Sequence, residues 1–316
     1  MQNIVNVFAL CMSLTSIVAS QAHSTEKLSE VSVTSGRGTH PASAFAVNEM
    51  PQNTLFLPVQ LPDGSLPVIL WGNGGCMDNA LAYGMFLREI ASHGYIVLAA
   101  GQPLSEGKTA IEQARAKLAG EQRSGSHQLG EPDKTTATQL LKGLTWLQEV
   151  NTQQGHPLHE RINTEKVAVM GHSCGGLQAI EVATDSRLDT AIIFNSGVIN
   201  EPMSVQSTAL KVRHEMLDKI NIPLAYINGG PSDIAYFNAI DDFEKIKHIP
   251  VLFAENGVGH GGTFRDPNGG AYARVALFWL NWQLKGEAEQ GRWFYGKECL
   301  LCEDFDWQVK RKQLGE

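Results

Sequence analysis

The feature that most constrains this chain is a series of short apolar runs without polar alternation, each followed by a longer amphipathic stretch. The clearest are 66–71 (LPVILW), 95–100 (YIVLAA), 166–170 (KVAVM), 190–194 (TAIIF), 223–227 (PLAYI) and 250–254 (PVLFA). A strand with one wet face alternates apolar and polar residues. A continuous apolar run is instead buried on both faces, as in parallel sheets covered by helices. Between the runs, 79–92, 135–153, 174–184 and 234–247 carry apolar residues at helical spacing, as does 270–284 after the last. Leu140, Leu141, Leu144 and Leu147 share one face of the second, and His93-Gly94 stops the first. The pattern predicts one mostly parallel, doubly wound α/β domain. There is no internal repeat and no heptad seam.

Composition narrows the function classes. Of 316 residues, 43% are hydrophobic and 18% charged, which supplies a core and excludes a disordered chain. Lys and Arg total 25 against 33 Asp and Glu, a formal charge of −8, so nucleic acid is not an expected partner. Five cysteines in this length do not make a disulfide framework; one or two local bridges are expected.

The run 4–19 (IVNVFALCMSLTSIVA) precedes Ser20-Gln21-Ala22, a small-x-Ala cleavage pattern, and no charged side chain occurs before Glu26. It reads as an export signal, although its first residues lack Lys and Arg. It is shorter than the roughly 20 apolar residues of a membrane span, and an uncleaved anchor is the competing reading. The expected organisation is 1–22 signal, 23–50 extension, 51–298 catalytic unit and 299–316 tail, in a secreted or periplasmic protein without stable membrane association. Residues 103–134 read as a polar surface insertion. Residues 195–221 leave room for one helix near 207–219 and no large cap.

Gly171-His172-Ser173-Cys174-Gly175 matches G-x-S-x-G and lies directly between the strand KVAVM and an apolar helix. That context is what a nucleophile elbow requires; a plain βα turn with a helix-capping serine is the bland alternative. A serine needs a base, and the base an orienting carboxylate, in the chain order Ser, Asp or Glu, His. Asp233 follows the strand PLAYI and His260 follows PVLFA, so parallel strands carry both to the edge that holds Ser173. Asp241 and Asp242 are expected to face solvent from the next helix, and His172 to point away. Gly72-Asn73-Gly74-Gly75-Cys76 follows the strand 66–71 and is the candidate oxyanion loop. Gly75 or Cys76 would give one amide and Cys174 the other. The loop lacks the Gly-Lys-Ser/Thr ending of a phosphate-binding loop. Met77, Ile234 and Phe264 are the expected substrate-lining residues.

With GNGGC at 72–76, GHSCGG at 171–176, Asp233 in NGGPSD and His260 in GHGG, the chain resembles secreted α/β-hydrolases of the dienelactone hydrolase, chlorophyllase and polyester hydrolase (cutinase-like) groups. The resemblance covers about 50–286. It implies the α/β-hydrolase fold and a serine esterase without cofactor or metal, acting through an acyl-enzyme on short-chain, aromatic or polymeric esters. A binding protein that keeps this fold without catalysis is the alternative from another class.

Cys299-Leu300-Leu301-Cys302 has the spacing of a redox or zinc motif. No thioredoxin-like unit follows and no second pair exists, so a local disulfide is expected. His156 and His159 read as a solvated loop. Trp279 and Trp282 have the spacing of core residues.

Overall fold

The computed structural model describes residues 27–104, 106, 134–200 and 212–314. Ten described strands form one mixed sheet: β1 (Leu28–Glu30), β2 (Ala42–Val47), β3 (Asn53–Pro58), β4 (Leu66–Gly72), β5 (Ile96–Ala100), β6 (Ile162–His172), β7 (Thr190–Phe194), β8 (Leu224–Asn228), β9 (Val251–Glu255) and β10 (Gln308–Lys312). Their order is β1-β2-β3-β5-β4-β6-β7-β8-β9-β10. The six strands from β5 to β9 in that order are parallel. Antiparallel strands flank them, β1 to β3 on one side and β10 on the other.

The helices are α1 (Gly84–Ser92), α2 (Ala137–Thr152), α3 (Cys174–Val182), α4 (Tyr236–Lys245) and α5 (Gly270–Lys285), with short turns of helix at Ala288–Gly291 and Leu300–Glu303. Helices α2, α3 and α4 pack on one face of the sheet, α1 and α5 on the other. Within β4, Val68 and Leu70 enter the first core layer while Ile69 and Trp71 enter the second. Both sets of alternate residues lose their water, which is why the run carries no polar position.

The unit is wider than the boundaries at 51 and 298. The expected extension supplies β1 and β2, and the expected tail supplies β10, all in the same sheet. β10 (QVKRK) hides as a strand because an edge strand keeps one side in water, and its charges discourage further pairing. The export signal at 1–22, nearly all of the insertion at 103–134, and 207–211 of the helix expected near 207–219 lie outside the described residues. The described remainder of that helix is the 3₁₀ turn His214–Lys219. Among the described residues no helix is long and apolar enough to cross a membrane.

Candidate active site

Ser173 sits between the last residue of β6 and the first of α3, with φ 53° and ψ −118°. That conformation is strained for a residue with a Cβ, and the turn holds it in place. A Cβ on Gly171 would come within 2.1 Å of the Gly175 carbonyl oxygen, and one on Gly175 within 2.1 Å of the Gly72 carbonyl. Glycine is therefore required on both sides. The Ser173 N–H donates to Phe194 O at 3.0 Å, and Ser196 Oγ donates to Ser173 O at 2.7 Å. Ser173 thus faces the positive end of the α3 dipole at the carboxyl edge of the sheet.

The loops after β8 and β9 bring the other two expected side chains to it. The Ser173 hydroxyl lies 2.9 Å from His260 Nε2, and His260 Nδ1 lies 2.6 Å from Asp233 Oδ1. A carboxylate accepts only, so the imidazole proton sits on Nδ1 and Nε2 is left to accept from Ser173 Oγ. The Asp233 side chain is fully buried, whereas that of His260 is 28% exposed. Burial pushes the Asp233 carboxyl up. The His260 hydrogen bond, the Ala235 N–H, the nearby imidazole charge and the Asn195 amide outweigh it and hold the group below the usual carboxylate range.

Asn195, the first residue past β7, is a part of this arrangement the sequence reading missed. Its Nδ2 donates to Asp233 Oδ2 at 2.8 Å and to Gly259 O at 3.0 Å, tying the carboxylate loop to the histidine loop. The available signal was its position: an amide side chain immediately after a buried parallel strand, at the edge where Asp233 and His260 were already expected.

The loop after β4 forms the 3₁₀ turn Gly74–Cys76, and a disulfide joins Cys76 to Cys174. This corrects the expectation of local bridges only, since the pair is separated by 98 residues. β4 and β6 are neighbours with Gly72 opposite Gly171, so their loops emerge side by side. Gly75 and Cys76 were the alternatives for the amide donor of this loop. The Cys76 N–H is engaged by Asn73 O at 3.1 Å inside the turn, and the Gly74 N–H by Tyr83 Oη at 3.0 Å. Among the described residues the Gly75 amide has no hydrogen-bond partner. Cys174 is the first residue of α3.

Three residues were expected to line a cleft, and their placements differ. Ile234 is 81% exposed beside Asp233, and Phe237 and Val258 are also exposed near the same two loops. Met77 is half-buried against the second core layer. Phe264, 1% exposed, is not available as a lining residue. Its ring packs 4.9–5.7 Å from those of Trp71, Tyr83, Phe86, His172, Phe194 and Tyr272. It is the hub of an aromatic cluster in the second core layer.

Other expectations need revision too. Asp242 is buried, with Oδ2 accepting from the Val198 N–H and the Tyr226 hydroxyl, because α4 turns that face onto the sheet. His156 is buried against Trp146 rather than solvated, with Nδ1 accepting the Leu158 N–H. Cys299 and Cys302 form the local disulfide, and Trp279 is a core residue. No metal-holding cluster of His, Cys, Asp and Glu occurs among the described residues. A scan against models of known protein families gave no match, and a search of curated proteins gave none either.

Proposed function

We propose that this chain is a serine carboxylic-ester hydrolase with the α/β-hydrolase fold, related to the groups it resembles. The observation that carries the reading is the continuous hydrogen-bonded series Ser173, His260, Asp233 at the carboxyl edge of a parallel sheet, with the serine in a strained turn. His260 Nε2 takes the hydroxyl proton as Ser173 Oγ attacks the acyl carbon. Asp233 keeps the imidazole in the right tautomer and balances the charge it gains. The amides of Gly75 and Cys174 receive the developing oxyanion, helped by the α3 dipole. The C–O bond to the alcohol then breaks and His260 returns its proton to the leaving oxygen. Water, activated in the same way, attacks the acyl-serine and releases the acid.

Exposed Ile234 and Val258 beside the reacting groups favour an apolar acyl or aromatic group over a charged one. A small apolar seat gains about 0.8 kcal/mol per buried CH₂ until it is full. The best substrates are therefore short acyl or aromatic esters, small or polymeric, with no cofactor. The two disulfides suit an oxidising compartment and support export.

The test is a series of p-nitrophenyl esters of rising chain length, run beside labelling with a fluorophosphonate. Turnover that peaks at short chains, with label on the peptide containing Ser173, is the expected result. Label on another residue, or rate loss to a chelator restored by one metal, would overturn the mechanism. Absence of both turnover and label would favour the non-catalytic binding protein. Preference for long-chain emulsified triglyceride would indicate a lipase instead.

A further inference from the structure

His172 is next to the proposed nucleophile, and its buried ring lies in a continuous chain of hydrogen bonds. Its Nε2 is 2.8 Å from the backbone oxygen of His260, and its Nδ1 is 2.7 Å from Tyr83 Oη. Tyr83 Oη in turn accepts the Gly74 N–H at 3.0 Å. The roles follow without choice. A carbonyl only accepts, so the proton is on His172 Nε2; Nδ1 then accepts the Tyr83 O–H, and Tyr83 Oη remains free to accept from Gly74. Gly74 precedes the amide assigned to the oxyanion, and the His260 carbonyl belongs to the proposed base.

We propose that Tyr83 and His172 are positioning residues that hold the oxyanion loop and the histidine loop at fixed separation across the nucleophile turn. The role rests on the serine-hydrolase reading above and deepens it. Burial, reinforced by the neighbouring His260, pushes the His172 imidazole down to about 3, so it stays neutral wherever His260 works. Burial likewise pushes the Tyr83 phenol up to about 12. Neither group changes charge in the working range, which suits a fixed strut and not a proton carrier. Packing supports the same geometry. The Tyr83 and His172 rings lie 5.7 Å apart, and both rest on Phe264.

The experiment measures the second-order rate of fluorophosphonate labelling at Ser173 at 25 °C, with melting followed separately. Tyr83→Phe strips the hydroxyl and leaves the Gly74 N–H and His172 Nδ1 unpartnered. Its labelling rate should fall about tenfold or more, and in ester turnover kcat should fall with KM little changed. His172→Leu should lose at least as much. His172→Gln sets an amide N–H near the lost Nε2 and should recover much of that loss, because it again donates to the His260 carbonyl. A structural role alone would lower the melting temperature while the folded variants label at the wild-type rate; that result overturns the proposal. So does His172→Gln labelling no faster than His172→Leu, a pair that still decides if Tyr83→Phe fails to fold. Failure of the wild-type protein to label at Ser173 is a different outcome, and it would overturn the hydrolase reading itself.

Discussion

Around Ser173, loops 73–77 and 171–176 are joined by the Cys76–Cys174 disulfide, and Gly72, Gly171 and Gly175 approach one another too closely for any Cβ. Around His260, loops 228–235 and 256–262 meet through hydrogen bonds, among them Gly259 N–H to Gly229 O at 2.7 Å and the two Asn195 bonds. On the proposed mechanism, the first half must keep an attacking oxygen and the oxyanion amides at fixed distances. A misplacement near 1 Å there can cost about a hundredfold in rate, so a covalent tie is useful. On the same reading the second half must pass a proton, and the His260 ring is partly open to water. One half resists change while the other responds to pH.

The sharpest test of this division is to remove the attacking oxygen from one half and the orienting carboxylate from the other. Ser173→Ala should lower kcat by about 10⁶, and Asp233→Asn by about 10⁴, because the second leaves the nucleophile in place but favours the wrong imidazole tautomer. The double variant should be little worse than Ser173→Ala alone. Steady-state kinetics on one p-nitrophenyl ester is sufficient, and equal losses would erase the difference between the halves.

Acid should act on the second half first. On the proposed mechanism only neutral His260 accepts the serine proton, so kcat/KM should fall as acid protonates that base. Asp233 has its folded pKa held below the unfolded value of about 3.9. Its contribution to stability is therefore present above pH about 4 and is lost as pH falls through the lower folded value. Activity should disappear on the acid side well before the fold does. Circular dichroism and rate measured on the same samples would show whether the two losses separate.

The two disulfides offer a smaller contrast. In the chain-entropy picture a bridge closing about 100 residues contributes roughly 4–5 kcal/mol, and one closing a three-residue separation only about 1–2 kcal/mol. Cys76→Ala with Cys174→Ala should lower both the melting temperature and kcat, the latter about tenfold, by loosening the oxyanion loop. Cys299→Ala with Cys302→Ala should leave kcat unchanged and lower stability slightly. Thermal melts and kinetics on both double variants check this.

Least in size is the effect at Asp242, buried on α4. Burial pushes this carboxyl up to about 8, against the Val198 N–H and the Tyr226 hydroxyl, with Asp241 adding and Lys245 opposing; His214 lies 3.4 Å from its Oδ1. A carboxyl with a raised folded pKa binds its proton more tightly in the fold. It therefore costs stability progressively as pH rises from about 4 to about 8. Asp242→Asn keeps an acceptor for both donors and should raise the melting temperature more at pH 8 than at pH 5. Melts at the two pH values decide it. An equal shift would mean that ionisation is not the cause.

Much of this was legible in the sequence. The runs at 66–71, 166–170 and 250–254 announced the parallel strands, since strands buried on both faces have no room for a polar position. The loops carrying Ser173, Asp233 and His260 followed, because parallel strands deliver their carboxyl ends to one edge. β10 and the strands before residue 51 were not legible. Edge strands keep charges, and β2 (ASAFAV) consists largely of small residues, so the two-faced apolar signal is absent.

Local order along the chain is what the sequence determined by itself: the strand and helix alternation, the glycine-flanked serine, and the edge to which each loop belongs. These follow from periodicity and turn sterics within a few residues. Only the tertiary structure decided which side chains meet across the edge. It set the Cys76–Cys174 bridge over 98 residues, the Asn195 amide between two loops, the His172 ring on the His260 carbonyl, and Phe264 and Asp242 as interior groups. Such contacts depend on strand order and on how the helices roll onto the sheet. Those are properties of packing summed over the whole domain, and no short stretch of sequence encodes them.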